Sequence, residues 1–343
     1  MAEVFRPLSK PRPIRWRGRS FQSEHVLILN RKKFLVIKSL SSQRRRYMVF
    51  DRDAGPQGDM RCVIEIDRQN LSTKIQTPGL VEKLKRLTQS NTNLPAIISY
   101  HPVGAKIYLV TPWIDGETLE RYLARIKKEY GYCPSVLEVC KLIRGLAHGL
   151  MHLHAINLVH GDLNPNNLIL QRNPTRLVMI DFGSAWLVEY TVRREKGDGN
   201  DCKYVAPELN SDTPFVDFRN DQFSLGVLFY RLLTLEVPYD NYGGMVSPAT
   251  QSFYRSPSSL KPRNDKTPAE AWRLIDRIIQ QCLQPEADKR YQTDREMLED
   301  FEDLKEKLRP RGVSTVNEIV LKTLNLCASL WRRLSQWWSR SRS

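Results

Sequence analysis

The sequence predicts an α+β fold, with a small β-rich N-terminal part, a larger helical C-terminal part and a final amphipathic helix. Three observations carry this. Short β-branched and aromatic runs at 34–37, 47–50, 62–66, 96–100 and 106–110 all lie in the first third of the chain. Helical spacing then takes over, with Leu142, Leu146, Leu150 and Leu153 recurring through 137–156, and further helical patterns at 222–233, 268–282 and 294–307. Finally, Val316, Ile319, Val320, Leu324, Cys327, Leu330, Trp331, Leu334, Trp337 and Trp338 draw one apolar stripe along a helix. Strands gathered before helices, rather than alternating with them, predict segregated layers.

The chain has 343 residues, 41% of them apolar, enough for a sizeable core. Its net charge of +15 is concentrated at the ends. Residues 1–33 carry nine basic and two acidic side chains, and residues 309–343 carry seven and one, so the span between them is nearly neutral. The expected organisation is a basic extended arm over 1–30, a main folded body over 31–308 divided near 111–115, and a basic helical tail over 309–343. Pro7, Pro11 and Pro13 among Arg12, Arg15, Arg17 and Arg19 disfavour a packed core and predict that the arm is disordered or loosely docked. Six scattered cysteines without metal-ligand spacing argue against a disulfide or zinc scaffold and for a reduced compartment. Neither a secretory signal nor an apolar run of about 18 residues is present, so a cytoplasmic location is expected, with peripheral attachment at the inner membrane face through the tail.

The chemical information is densest at 158–170. Asp162 stands in a polar segment between apolar runs, with His160 two positions before it and Asn167 five after. A second acid, Asp181, follows the apolar run 177–180 and opens Asp181-Phe182-Gly183. Two oxygen ligands and a base converging from neighbouring strands suit a magnesium ion.

This arrangement resembles the catalytic and magnesium loops of the protein kinase superfamily, which read H-R-D-L-K-P-x-N and D-F-G. Ala206-Pro207-Glu208 stands where the family has A-P-E, Asp221 where a buried Asp opens a long helix, and Arg290 where an Arg pairs with the A-P-E glutamate. The resemblance implies a bilobal fold and a phosphotransferase that uses ATP and Mg2+ on protein Ser/Thr hydroxyls. Asp162 would be the base, with Asn167 and Asp181 as metal ligands. His160, Phe182, Gly183, Glu208, Asp221 and Arg290 would be structural.

Departures from the family pattern fall mainly on the phosphate grip. The hairpin turn that normally carries three glycines reads Ser39-Leu40-Ser41-Ser42-Gln43-Arg44, and Arg44, Arg45 and Arg46 could supply charge there. Where the family has V-A-I-K, Cys62-Val63-Ile64-Glu65 places Glu65 at the lysine position. A charge-swapped pair of Glu65 with Lys83, on the next helix, would restore an ammonium near the phosphates. Thr111 takes the gatekeeper position of the adenine hinge, followed by the Pro112 carbonyl and the Ile114 backbone, while Trp113 packs. Val63 and Leu168 complete the expected ATP-binding set. Gly161 replaces the Arg of H-R-D, leaving a phosphate on the activation segment without its usual partner. Asn164 replaces a catalytic-loop Lys and Asp201 a Thr, so the acceptor end of the site is rebuilt around Asp162 and Asn164.

Two other classes remain open: a pseudokinase scaffold, for which Glu65 and the missing glycines argue, and a small-molecule phosphotransferase, which the H-G-D form resembles. For the tail, four arginines beside three tryptophans suit an anionic membrane surface, while the same stripe could dock on the body or on a second copy as a homodimer. Sparse interleaving of aromatic and basic residues in the arm gives no expectation of sequence-specific nucleic acid binding.

Overall fold

The computed structural model describes residues 4–41, 45–67, 78–131, 135–180, 186–187, 202–210, 216–261 and 265–309. Arg44, Asp181, Phe182, Gly183, Asp201 and the tail from residue 310 onward lie outside them.

The first lobe is a seven-stranded antiparallel sheet in the order β1-β2-β3-β4-β5-β7-β6. Its strands are β1 (Phe5–Trp16), β2 (Arg19–Leu29), β3 (Lys32–Ser41), β4 (Arg46–Asp51), β5 (Asp59–Asp67), β6 (Ser99–Val103) and β7 (Lys106–Pro112). Helix α1 (Pro78–Ser90) lies between β5 and β6 in sequence. The expected loose arm is therefore corrected: residues 5–29 form a hairpin built into the sheet, β2 pairing with β3 from His25↔Val36 to Leu29↔Lys32. The prolines are tolerated because β1 is the edge strand, where a missing N–H costs no ladder bond. Leu27 and Leu29 are fully buried beside Phe34, Val49, Val63 and Val110 on one sheet face. Ile14 and Trp16 pack with Leu35, Met48, Phe50 and Met60, with Trp113 against them, and Trp16 Nε1 donates to Asp59 at 3.0 Å.

The second lobe is mainly helical: α2 (Leu119–Glu129), α3 (Val136–His154), α4 (Phe218–Thr234), α5 (Ala269–Cys282) and α6 (Asp294–Lys307). Ser135 caps α3 and Thr293 caps α6, while Asp217 and Asn220 form a capping box at the start of α4. Ile143, Leu146, Leu150 and Leu153 of α3 bury their stripe against Phe223 and Val227 of α4 and Phe301 of α6, the main core of the molecule. Short strands dress the cleft side: β8 (Glu117–Thr118), β9 (Leu158–Val159), β10 (Leu168–Arg172), β11 (Thr175–Met179) and β12 (Trp186–Leu187). Strand β10 pairs with both β8 and β11, so the segment after the hinge is stitched to the segment after the catalytic loop. No described helix is long and apolar enough to cross a membrane.

Candidate active site

Between the sheet and the helical lobe lies a cleft of about 650 Å³. Thr111, Pro112 and Ile114 line its hinge side, and Asn164, Asn167 and Ile180 line its floor. Thr111 is buried opposite Cys62, whose carbonyl accepts its hydroxyl at 3.5 Å. Trp113 lines the cleft and packs on the Trp16 cluster, its backbone N–H donating to the Met60 carbonyl at 3.2 Å.

On the floor, His160, Asp162, Asn164 and Asn167 are all buried. Asn164 Nδ2 donates to Asp162 Oδ1 at 2.8 Å, and Asn167 Nδ2 donates to Oδ2 at 2.7 Å and to the Asp162 carbonyl at 2.9 Å. Asn164 Oδ1 accepts the Asn166 N–H at 3.0 Å, so both ends of this amide are used to brace the loop. The loop is also held from beneath. Asp221, fully buried on α4, accepts the His160 N–H at 2.7 Å and the Gly161 N–H at 2.9 Å. Gly161 has φ +70, a left-handed backbone that glycine adopts without strain.

The support of Asp221 includes a residue that the sequence reading missed. His154 Nε2 lies 3.0 Å from Asp221 Oδ2, and its Nδ1 lies 2.8 Å from Asp294 Oδ2. Burial alone would lower the His154 pKa, but the two carboxylates raise it to about 9. The imidazolium in turn holds Asp221 ionised, its pKa lowered against the desolvation that would raise it. The signal was faint: one His among several near the end of α3.

Arg290, only 1% exposed, donates Nη1 and Nη2 to the two oxygens of Glu208 at 2.7 and 2.8 Å. Its Nε meets the Gln284 carbonyl at 2.8 Å. This fork ties the segment 207–210 to the loop before α6.

The roof requires corrections, all from one cause. On β5 the cleft-facing residues are Cys62 and Ile64, while Val63 and Glu65 face the opposite side. A lysine facing the cleft from this strand would therefore stand at Ile64, not Glu65. Val63 is core, and Cys62 takes the cleft-facing place. Glu65 pairs instead with Lys106 at 2.5 Å and Arg45 at 2.7 Å. Burial alone would raise its pKa, yet hydrogen bonds from Lys106 and Arg45 hold it below the usual carboxylate value. Lys83 is exposed on α1 and is not among the described partners of Glu65 or the cleft lining, so the charge-swapped pair is not formed. On the floor the same one-residue shift applies: Leu168 is wholly buried in the core, and Ile169 lines the cleft.

Comparison with known proteins gives the same answer as the site. A family model described as the protein kinase domain matches residues 65–301. The chain belongs to the protein kinase family. Among curated relatives, it is 29% identical over 192 residues to the probable serine/threonine-protein kinase HSL1 of Saccharomyces cerevisiae, covering 55% of this chain and 12% of that protein. It is 30% identical over 203 residues to the serine/threonine-protein kinase nekl-2 of Caenorhabditis elegans, covering 52% and 54%. The chain thus spans about an eighth to a half of the length of these two relatives. A solved structure, the Mycobacterium tuberculosis PknI kinase domain, superposes with a TM-score of 0.54 at 17% identity, over 79% of this chain and 96% of that one, a likeness of fold. The family match begins inside β5, so the kinase's roof strands β1–β4 lie outside it.

Proposed function

We propose that this kinase binds ATP with Mg2+ in the cleft and transfers the terminal phosphoryl group to Ser or Thr hydroxyls of protein substrates. The observation that carries the reading is the buried Asp162 carboxylate, oriented by two amide donors on the floor of a cleft whose other wall is the hinge. The hydroxyl oxygen attacks the γ-phosphorus, the bond to the β–γ bridging oxygen breaks, and the hydroxyl proton passes to Asp162. Donating its Nδ2 to Asp162 turns the Asn167 amide oxygen to the other side, and an amide oxygen of this kind, with a carboxylate, is the hard donor set that magnesium prefers. A bound magnesium ion would neutralise phosphate charge; the protein's share is positioning.

Transfer of radiolabelled γ-phosphate to a mixed Ser/Thr acceptor tests this, comparing wild type with Asp162→Ala. Incorporation at least a hundredfold above the variant is expected, and equal background in both would refute it. One observation favours a second reading, a nucleotide-binding scaffold without turnover: Ile64 leaves β5 without a cleft-facing lysine. Undiminished ATP binding with that equal background would select it.

A further inference from the structure

The cleft lacks both lysines of the family pattern, at Ile64 on β5 and at Asn164 in the catalytic loop, so the charge that meets the nucleotide phosphates must come from elsewhere. The described basic residues lining the cleft are Lys38, Arg46 and Arg121. Sheet register separates them. One rung across the roof reads Lys38, Met48, Cys62, Thr111, and this rung ends at the adenine hinge. The next rung away from the hinge reads Arg46, Ile64, Leu109. Arg46 is the direct cross-strand neighbour of the lysine position, on the same face. Opposed Cβ atoms in an antiparallel pair lie about 5 Å apart. A guanidinium on β4 therefore reaches the space that an ammonium on β5 would fill.

Alternation gives Arg46 this role and its neighbour a different one. Arg45, at φ +30, turns to the opposite face and neutralises Glu65. Arg46 lies on the cleft side and is half-buried, whereas Lys38 and Arg121 are exposed. Partial burial holds the guanidinium in a narrower range of positions, and its fork suits phosphate oxygens.

We propose that Arg46 is the phosphate-gripping cation of this kinase, a positioning residue that moves the role of the β5 lysine one strand across the roof. The proposal rests on the nucleotide-site reading above. Its test is calorimetric titration of the full chain with ATP in Mg2+ and, separately, with adenosine. For Arg46→Ala, ATP affinity should fall about 10- to 100-fold, as expected for losing charge-assisted hydrogen bonds, while adenosine affinity stays within about twofold. Arg46→Lys should recover part of the loss. Unchanged ATP affinity in Arg46→Ala would overturn the proposal, as would an equal loss of ATP and adenosine. A loss confined to Lys38→Ala would overturn it in favour of Lys38. A wild type that binds neither ligand would instead remove the nucleotide-site reading, and this proposal with it.

Discussion

The Arg290–Glu208 fork is the most exposed to test by a single substitution. The arginine side chain is fully buried and Glu208 is 19% exposed. Arg290 also meets the carbonyls of Gln284, Pro285 and Arg219. Replacing Arg290 by Met keeps apolar volume but removes both guanidinium donors from Glu208, which keeps its hydrogen bond from Asn220 Nδ2, and takes the donor from three carbonyls. Breaking a buried pair from one side costs about 3–5 kcal/mol. Because water can reach part of Glu208, the lower end applies, about 3 kcal/mol. For a lobe of this size each kcal/mol lowers Tm by about 2–4 °C, so a drop of about 6–12 °C is expected by thermal circular dichroism. Glu208→Gln, which keeps an oxygen acceptor, should cost roughly half as much. The double variant should cost less than the sum of the two, since both remove one interaction. A drop under about 2 °C for Arg290→Met would refute the view that this fork anchors the segment.

His154 gives a pH prediction. Its folded pKa is raised to about 9 from 6.5, so its ion pairs contribute fully below about pH 6.5 and are lost as pH rises through about 9. Wild-type Tm should fall between pH 7 and 9.5, and His154→Gln should be flatter across that window; parallel slopes would reject the assignment. Trp16→Ala should cost about 3 kcal/mol, because the indole is 8% exposed and hydrogen-bonded to Asp59. Since Trp113 at the hinge packs on the same cluster, adenosine affinity should weaken with it, measured by the titration above.

The catalytic floor was legible because its residues are polar, closely spaced and set between apolar runs; the register of the roof was not. Side chains of strand β5 are buried on both faces, Val63 clustering with Tyr108 and Val110 on one and Ile64 and Ile66 with Ile107 and Leu109 on the other. A strand covered on both faces reads as a continuous apolar run, so Cys62-Val63-Ile64-Glu65 gives no alternation from which to choose a face. With a period of two, a slip of one residue exchanges the faces entirely. Such a slip puts Glu65 in the cleft and gives it to Lys83 as a partner, a pairing that the fold does not use. The N-terminal hairpin was hidden differently. Its edge strand exposes most of its side chains, so its composition resembles that of an unstructured basic arm, and only the buried Ile14 and Trp16 show a packed face.

The residues that depart from the family in the catalytic loop share a physical logic. Gly161 and Asn164 each stand where a cation is expected, yet the loop is ordered. Its order comes from the helical lobe: Asp221 fixes two successive N–H groups, and His154 and Asp294 fix Asp221. The left-handed backbone at Gly161 lets those N–H groups converge on one carboxylate. Asn164, with both ends of its amide engaged, gives the loop geometry without charge. In the proposed mechanism, positioning of the base is thereby separated from electrostatics: the floor aims Asp162, and the charge that the floor does not supply comes from the roof. On that reading the roof offers it on β4, where Arg46 faces the cleft directly across from Ile64 of β5.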